Sequence, residues 1–137
     1  MMKILAVDLG LARTGLAVSD PTGFLASPIG TVAEKRLDVL LDKVAAVVAE
    51  HKPDRIVVGH PRNMDGSCGE SAKRAEQFAA DLAEKTGVDT VLWDERLTTT
   101  TAIGYLNTAD VRGKKRKAVV DTVAATVILQ NYLDSLK

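Results

Sequence analysis

The chain has 137 residues, of which 46% are hydrophobic and 26% are charged, and its formal net charge is zero. This length suits one domain with a single core. Because the net charge is zero, overall charge argues neither for nor against a polyanionic partner. Its one cysteine, Cys68, excludes an internal disulfide, and we interpret it as an ordinary loop residue. No apolar run approaches the ~20 residues of a membrane span, and the N-terminus lacks a signal-peptide pattern. We therefore expect a cytoplasmic protein with no membrane partner.

Three strands are predicted first. Residues 3–9 form a short apolar run that ends at a glycine, which is typical of a buried strand, and 14–20 form a second. Only residues 10–13 separate them, so the two strands should form an antiparallel hairpin, because a parallel crossover needs many more residues. After the turn DPTG, a third antiparallel strand is predicted over 23–32, and Pro28 within it favours an edge of the sheet.

Helical periodicity follows and alternates with strands. The remaining predicted elements are a helix over about 34–50, a strand over 55–59, a helix over 70–86 that stops at Gly87, a strand over 89–95, a helix over about 98–107, a basic loop and a closing helix over about 118–136. A three-strand antiparallel meander followed by βαβ units predicts an α/β fold, with a five-stranded mixed sheet and helices on both faces. Without a linker or repeat, residues 1–137 are predicted to be a single domain.

Acidic residues end two of the strands that should be parallel. Asp8 ends the first strand, and the pair Asp94 and Glu95 ends the fifth. Ligands of open α/β sheets bind beyond the carboxyl ends of parallel strands, so we expect these acids at one edge. One such acid could be an N-cap or an ion-pair partner, but two at one edge are harder to explain in that way. His60 borders the same edge, and we interpret it as an ordinary loop residue.

A third acid, Asp121, lies near the start of the closing helix. Steps of four, seven and eleven residues lead from it to Ala125, Ile128 and Tyr132, which should pack on the sheet, so its carboxylate should face inward. The alternative is an acid that only complements the helix dipole, although such an acid normally faces solvent. Converging carboxylates are stable mainly when a divalent cation joins them, and all-oxygen ligands suit Mg²⁺ or Mn²⁺. Such a site can organise attack of water on a phosphodiester.

A basic run precedes this helix. The segment RGKKRK, residues 112–117, concentrates five cations within six residues. Such a run in a neutral protein is usually solvated surface. Because it lies about one helical turn from the proposed metal site, we predict that it contacts nucleic-acid phosphates. The predicted contacts are Lys114, Lys115, Arg116 and Lys117. Two Phe, two Tyr and one Trp are too few for a platform on which bases stack.

Four motifs occur in one order along nearly the whole chain: DLGLARTGLAV (8–18), VVGHPRNMDGS (57–67), DERLTTTTA (94–102) and DTVAATVILQNYL (121–133). Together they resemble the YqgF/RuvX family of Holliday-junction resolvases, also described as pre-16S rRNA nucleases. The resemblance implies an RNase H-like fold and metal-dependent hydrolysis of phosphodiester bonds in structured nucleic acid. The substrate would be the 5′ end of pre-16S rRNA, Holliday-junction-type DNA, or both. A junction cutter would need two sites, and therefore a homodimer.

The resemblance also implies which acids act. Asp8 and Asp121 would be catalytic and would bind Mg²⁺ or Mn²⁺. The middle acid should come from the motif DER, which leaves Asp94 and Glu95 as candidates. We choose Glu95, because its longer side chain reaches back from the fifth strand toward Asp8.

Other residues of these motifs would bind substrate. The resemblance implies that Arg13 and Arg96 contact phosphate, and that residues 63–66, beginning with Asn63, form a turn at the rim of the site. We expect Gly10 to leave room for metal and phosphate near the backbone. Thr101 stands where relatives often have Glu, away from the proposed metal cluster, so we expect little effect.

Two other functions stay open. The segment DLGLARTG could wrap nucleotide phosphates, as in an actin-like ATPase or a sugar kinase. Those enzymes need a second similar lobe, which 137 residues cannot supply. The same fold could instead serve as a catalytically silent RNA-binding factor in ribosome assembly, although three inward acids argue against that.

Overall fold

The computed structural model describes residues 2–10, 12–61, 69–94 and 113–136, except for the side chains of 113–122. In these ranges the chain forms five strands and three helices. The strands are β1 (Ile4–Asp8), β2 (Arg13–Ser19), β3 (Ala26–Ala33), β4 (Arg55–His60) and β5 (Asp89–Asp94). The helices are α1 (Leu37–His51), α2 (Glu70–Thr86) and α3 (Gly113–Ser135). The predicted helix over 98–107 lies outside the described residues.

The five strands form one sheet in the order β3-β2-β1-β4-β5. Central β1 pairs antiparallel with β2 and parallel with β4, and β5 lies parallel to β4. The predicted mixed sheet and its opening hairpin are confirmed. β3 is an edge strand, as Pro28 indicated, and the register shifts by one residue beside that proline. A proline removes a backbone donor, so an edge or a bulge is where a sheet tolerates it.

The sheet is covered on both faces because its central strands are apolar on both faces. In β1, Leu5 and Val7 pack into a core with α1 and α2, while Ile4 and Ala6 pack into a second core with α3. All four side chains are fully buried. β4 alternates in the same way, with Val57 in the α3 core. The prediction of helices on both faces is confirmed.

The helix boundaries confirm two predictions and correct one. α2 spans the predicted residues, and Gly87 ends it in the left-handed conformation with φ 71°. α1 ends near its predicted end, at His51, but it begins at Leu37, three residues after the predicted start. α3, however, begins at Gly113 and not near 118, so most of the predicted basic loop is helical backbone. Lys and Arg are good helix formers, and a dense run of them is compatible with a first helical turn. In the described part of the chain, no helix is long and apolar enough to cross a membrane.

The C-terminal half of α3 is fixed to the sheet by polar contacts as well as by its core. Arg55 of β4 donates to the Tyr132 hydroxyl at 2.8 Å and to the Asp89 carboxylate at 2.8 Å. Trp93 of β5 meets Tyr132 edge to face, with ring centroids 5.6 Å apart. These contacts join two strands to one side of the helix, and they therefore set its position over the sheet.

The predicted turn between β2 and β3 is confirmed, with Gly23 at φ 72°. The Thr22 hydroxyl donates to the Asp20 carboxylate, as do the backbone N–H groups of Leu25 and Phe24. These donors, Thr22 foremost, lower the pKa of Asp20 to about 2. An ionised Asp20 thus closes the turn, as aspartate commonly does at such positions.

We expect Tyr132→Phe to lower the free energy of unfolding by about 1 kcal/mol, because Arg55 loses an acceptor in a partly buried place. Asp89→Asn alters the exposed partner of the same guanidinium, and it should cost less. Urea titrations of both variants measure the difference. An unchanged midpoint in Tyr132→Phe would show that this hydrogen bond does not help to hold α3.

Candidate functional site

Strands β1, β4 and β5 are parallel and end at one edge of the sheet, as predicted. Asp8 is the last residue of β1, is half-buried, and lies opposite Gly15 of β2. β4 continues one residue beyond its predicted end, so His60 is a strand residue and not a loop residue. It pairs in register with Asp94. This edge therefore carries two of the acids that the sequence analysis placed there.

Strand alternation assigns these two acids to opposite faces of the sheet. Asp8 follows Ile4 and Ala6 at steps of two, and both pack in the α3 core. In β5 it is Val91 and Trp93 that pack against the α3 core, so Asp94 belongs to the other face. Asp8 thus shares its face with α3, whereas Asp94 does not.

Asp121 lies on the backbone of α3, in the half of the helix nearer its start. Ala125 and Ile128, four and seven residues further on, are both buried against the sheet. The predicted packing of this helix is confirmed at Ala125, Ile128 and Tyr132. The side chain of Asp121 lies outside the described part of the structure, as do those of Lys114, Lys115, Arg116 and Lys117.

The metal site predicted from Asp8, Glu95 and Asp121 stays a prediction. Among the residues that the structure describes, no three His, Cys, Asp or Glu side chains are grouped closely enough to hold a metal ion. Two of the three predicted ligands fall outside that set. Asn63 and Arg96 also lie outside the described residues. Arg13 is described: it is the first residue of β2 and is half-buried beside the same edge.

The turn between Asp8 and Arg13 is tighter than the sequence analysis expected. A side chain at Gly10 would collide with the backbone oxygen of Arg13, so the glycine is required by the turn itself. The room for metal and phosphate that Gly10 is expected to leave stays a prediction, whereas the contact with Arg13 is a direct steric reason for the glycine. The turn is also held from outside: the Glu34 N–H donates to the Ala12 carbonyl at 3.1 Å, and an Arg74 N–H donates to the Gly10 carbonyl at 3.3 Å. Arg74 was not among the predicted site residues.

His60 packs on the face opposite α3. The Glu76 carboxylate of α2 lies 3.6 Å from its Nε2, which is too long for a hydrogen bond. That nitrogen is buried, and no hydrogen-bond partner for it lies among the described residues. His60 thus contacts α2 on the Asp94 face, away from the face that Asp8 shares with α3.

The family model described as "RuvX: Holliday junction resolvase" matches residues 2–135. The chain belongs to the RuvX family. A protein of Geobacillus kaustophilus with the name "Putative pre-16S rRNA nuclease" is 47% identical over 136 residues, covering 98% of this chain and 99% of that one. A protein of the same name from Halalkalibacterium halodurans is 46% identical over 135 residues, covering 97% of this chain and 96% of that one.

Solved structures confirm the RNase H-like fold of this RuvX-family chain. RuvC of T. thermophilus, in complex with a Holliday junction substrate, superposes with a TM-score of 0.63 at 13% identity, covering 100% of this chain and 98% of that one. The fowlpox virus resolvase, also with Holliday junction DNA, gives a TM-score of 0.56 at 12% identity and covers 99% of both chains. At such low identity the likeness concerns the fold alone.

In this RuvX-family chain we expect Gly10→Ala to destabilise the fold by about 1–3 kcal/mol, because the added methyl group overpacks the turn. Gly87→Ala is the comparison. It meets no atom within 4 Å, and it carries only the strain of a positive φ, about 1 kcal/mol. Urea unfolding gives both values, and amide NMR shifts at Asp8 and Arg13 show whether the turn moves. Wild-type stability and shifts in Gly10→Ala would refute the steric account.

Proposed function

We propose that this protein is a nuclease that hydrolyses phosphodiester bonds in structured nucleic acid with the help of a divalent metal ion. The observation that carries the proposal is half-buried Asp8, placed at the end of a strand that is buried on both faces. Family membership over residues 2–135 supports it. We also propose that residues 1–137 act as one domain, since both cores share a single sheet.

The residues that would hold the metal are Asp8, Glu95 and Asp121. The fit rests on chemistry and placement: the donors are all carboxylate oxygens, which suit Mg²⁺ or Mn²⁺, and Asp8 lies on the sheet face that α3 covers. When bound, such an ion stabilises the negative charge that develops on the phosphate during attack by water. The protein's own part would be to hold a carboxylate at the end of β1, one at position 95 and one on α3 near each other, and to position the phosphate beside them.

Strand alternation supports Glu95 as the middle acid. Asp94 belongs to the face opposite Asp8, as the packing of Val91 and Trp93 in the α3 core indicates. If β5 continued for one residue, position 95 would return to the α3 face. We therefore propose Glu95, and not Asp94, as the partner of Asp8.

Substrate would be bound by cations around this edge. We propose Arg13, Arg96, the basic residues 114–117 and, at the rim, Asn63. Arg13 supports this proposal, because β2 begins with it beside the end of β1. The helical backbone of 113–117 supports it too, since positions 114 and 117 are three residues apart and therefore lie on the same side of the helix.

We place precursor 16S rRNA first among the substrates. Relatives with the name "Putative pre-16S rRNA nuclease" are 43–47% identical to this chain, whereas the structural neighbours bound to junction DNA are 12–13% identical. Cleavage of this precursor would then take place in the cytoplasm. If a four-way junction is the substrate instead, the chain would act as a homodimer, because two strands must be cut.

The deciding experiment incubates the purified protein with pre-16S rRNA and with a four-way DNA junction, each in Mn²⁺, in Mg²⁺ and in EDTA. We expect metal-dependent cleavage of the RNA, absent in EDTA. Binding of RNA without cleavage in either metal would identify a silent assembly factor.

We expect Asp8→Asn, Glu95→Gln and Asp121→Asn each to abolish metal-dependent cleavage, because each removes a charged ligand. Asp94→Asn is the matched control one residue from Glu95, and it should keep most of the activity. Circular dichroism and thermal unfolding check that all four variants fold. A dead Asp94→Asn beside an active Glu95→Gln would reverse the assignment, and normal cleavage by Asp8→Asn would refute the mechanism.

We expect the double variant Lys114→Ala with Lys117→Ala to weaken nucleic-acid binding across all sequences and to flatten its salt dependence by about two counterions' worth. The rate at saturating substrate should change much less. Lys3→Ala with Lys85→Ala removes equal charge beside the start of β1 and in the last turn of α2, away from the proposed site, and serves as the control. It also breaks the exposed ion pair of Lys85 with Asp42, which contributes little to stability. Binding titrations over a range of salt concentrations measure the slopes, and equal slopes in both double variants would show that the basic run is ordinary surface.

A further inference from the structure

We propose that Arg74 is a positioning residue for Asp8, because its guanidinium holds the turn that directly follows that acid. The catalytic consequence rests on the proposed nuclease function, whereas the contact is structural. Arg74 lies on α2, and its Nη1 donates to the Gly10 carbonyl at 3.3 Å across 64 residues of sequence. This hydrogen bond is partly buried.

Asp8 needs such support on one side. The antiparallel pairing of β1 with β2 continues to Asp8, which lies opposite Gly15. The parallel pairing with β4 ends one residue earlier, where Val7 lies opposite Val58. Beyond Val7 the chain is therefore held by the sheet on the β2 side. The hydrogen bond from Arg74 restrains the backbone on the α2 side, at Gly10, two residues after Asp8.

The base of this contact is rigid. Ala72, Ala75 and Phe78 of α2 are buried in the core beneath the sheet, so the backbone on either side of Arg74 is fixed. The turn itself has little freedom, because Gly10 packs closely on the Arg13 backbone. A displacement of the Gly10 carbonyl would therefore also displace Asp8 on one side and Arg13 on the other.

Catalytic groups work only when they are held within about half an ångström of the productive geometry. Groups that orient metal ligands change metal affinity or activity by about 10–100-fold when removed. Arg74 acts through the backbone on the proposed ligand Asp8. We therefore expect that loss of the Arg74 side chain weakens metal binding and slows turnover but leaves nucleic-acid affinity unchanged.

The test compares Arg74→Gln and Arg74→Lys with Lys73→Gln, which removes the same charge from the exposed neighbouring position of α2. Hydrogen exchange of the peptide containing Gly10 and Arg13 reports the turn, and calorimetric titration with Mn²⁺ reports the metal site. In Arg74→Gln we expect exchange about fivefold faster and Mn²⁺ affinity about tenfold lower. Arg74→Lys keeps a charged donor and should recover part of both, and Lys73→Gln should match wild type.

Kinetics separate positioning from direct phosphate contact. Positioning predicts that kcat of Arg74→Gln falls about tenfold at saturating Mn²⁺ and substrate, with an unchanged salt slope of binding. A slope smaller by about one counterion with normal kcat would mean that Arg74 binds phosphate, and would overturn the inference. Unchanged hydrogen exchange would overturn it too. If the wild-type protein cleaves nothing, the proposed function fails, and exchange and Mn²⁺ affinity still decide the role of Arg74.

Discussion

Strand β1 is buried on both faces, and the rest of the described chain is arranged to satisfy that requirement. Its side chains alternate between two cores, so α1 and α2 must cover one face and α3 the other. Its backbone is paired on both sides, with β2 and with β4. Because protein interiors are close-packed, this strand cannot shift as far as Val7 without disturbing both cores. Asp8 lies one residue further on, so its position depends both on this strand and on the turn that Arg74 contacts.

Local chemistry explains why so much of the fold could be predicted. Four residues between the first two strands permit a hairpin and exclude a crossover, Pro28 indicated an edge strand, and Gly87 indicated the end of α2. The start of α3 could not be predicted in this way. Charge density was interpreted there as a loop, whereas Lys and Arg are favourable in a helix, and the competing signals have similar weight.

The candidate site was less accessible to sequence reasoning. The meeting of strand ends at one edge followed from topology, and the face of Asp8 could be read from alternation once the core was known. Arg74 could not have been found, since nothing in the pattern of α2 distinguishes it from the neighbouring Lys73. Its contact with Gly10 depends on how a helix and a turn 64 residues apart are packed. Gly10 was expected to leave room for metal and phosphate, whereas the structure shows that the close approach of the Arg13 backbone requires a glycine there.

Helix α3 joins an anchored half to the half that carries Asp121. Tyr132 lies eleven residues after Asp121, which is about 16 Å along the axis and close to three full turns, so the two positions lie on the same side of the helix. Tyr132 contacts Arg55 and Trp93. These contacts therefore fix the position of the C-terminal end of α3 and also the rotation of the helix about its axis, which decides whether the side that carries position 121 faces the sheet. A loosened anchor would be transmitted as a tilt or rotation at position 121, since a continuous helix is stiff. The loss of one basic side chain would have no such distant effect, because it removes charge without moving backbone. If Asp121 binds the metal and residues 114–117 bind phosphate, as proposed, stability and catalysis should be coupled through the anchored end of α3, whereas binding strength should depend on local charge at its start.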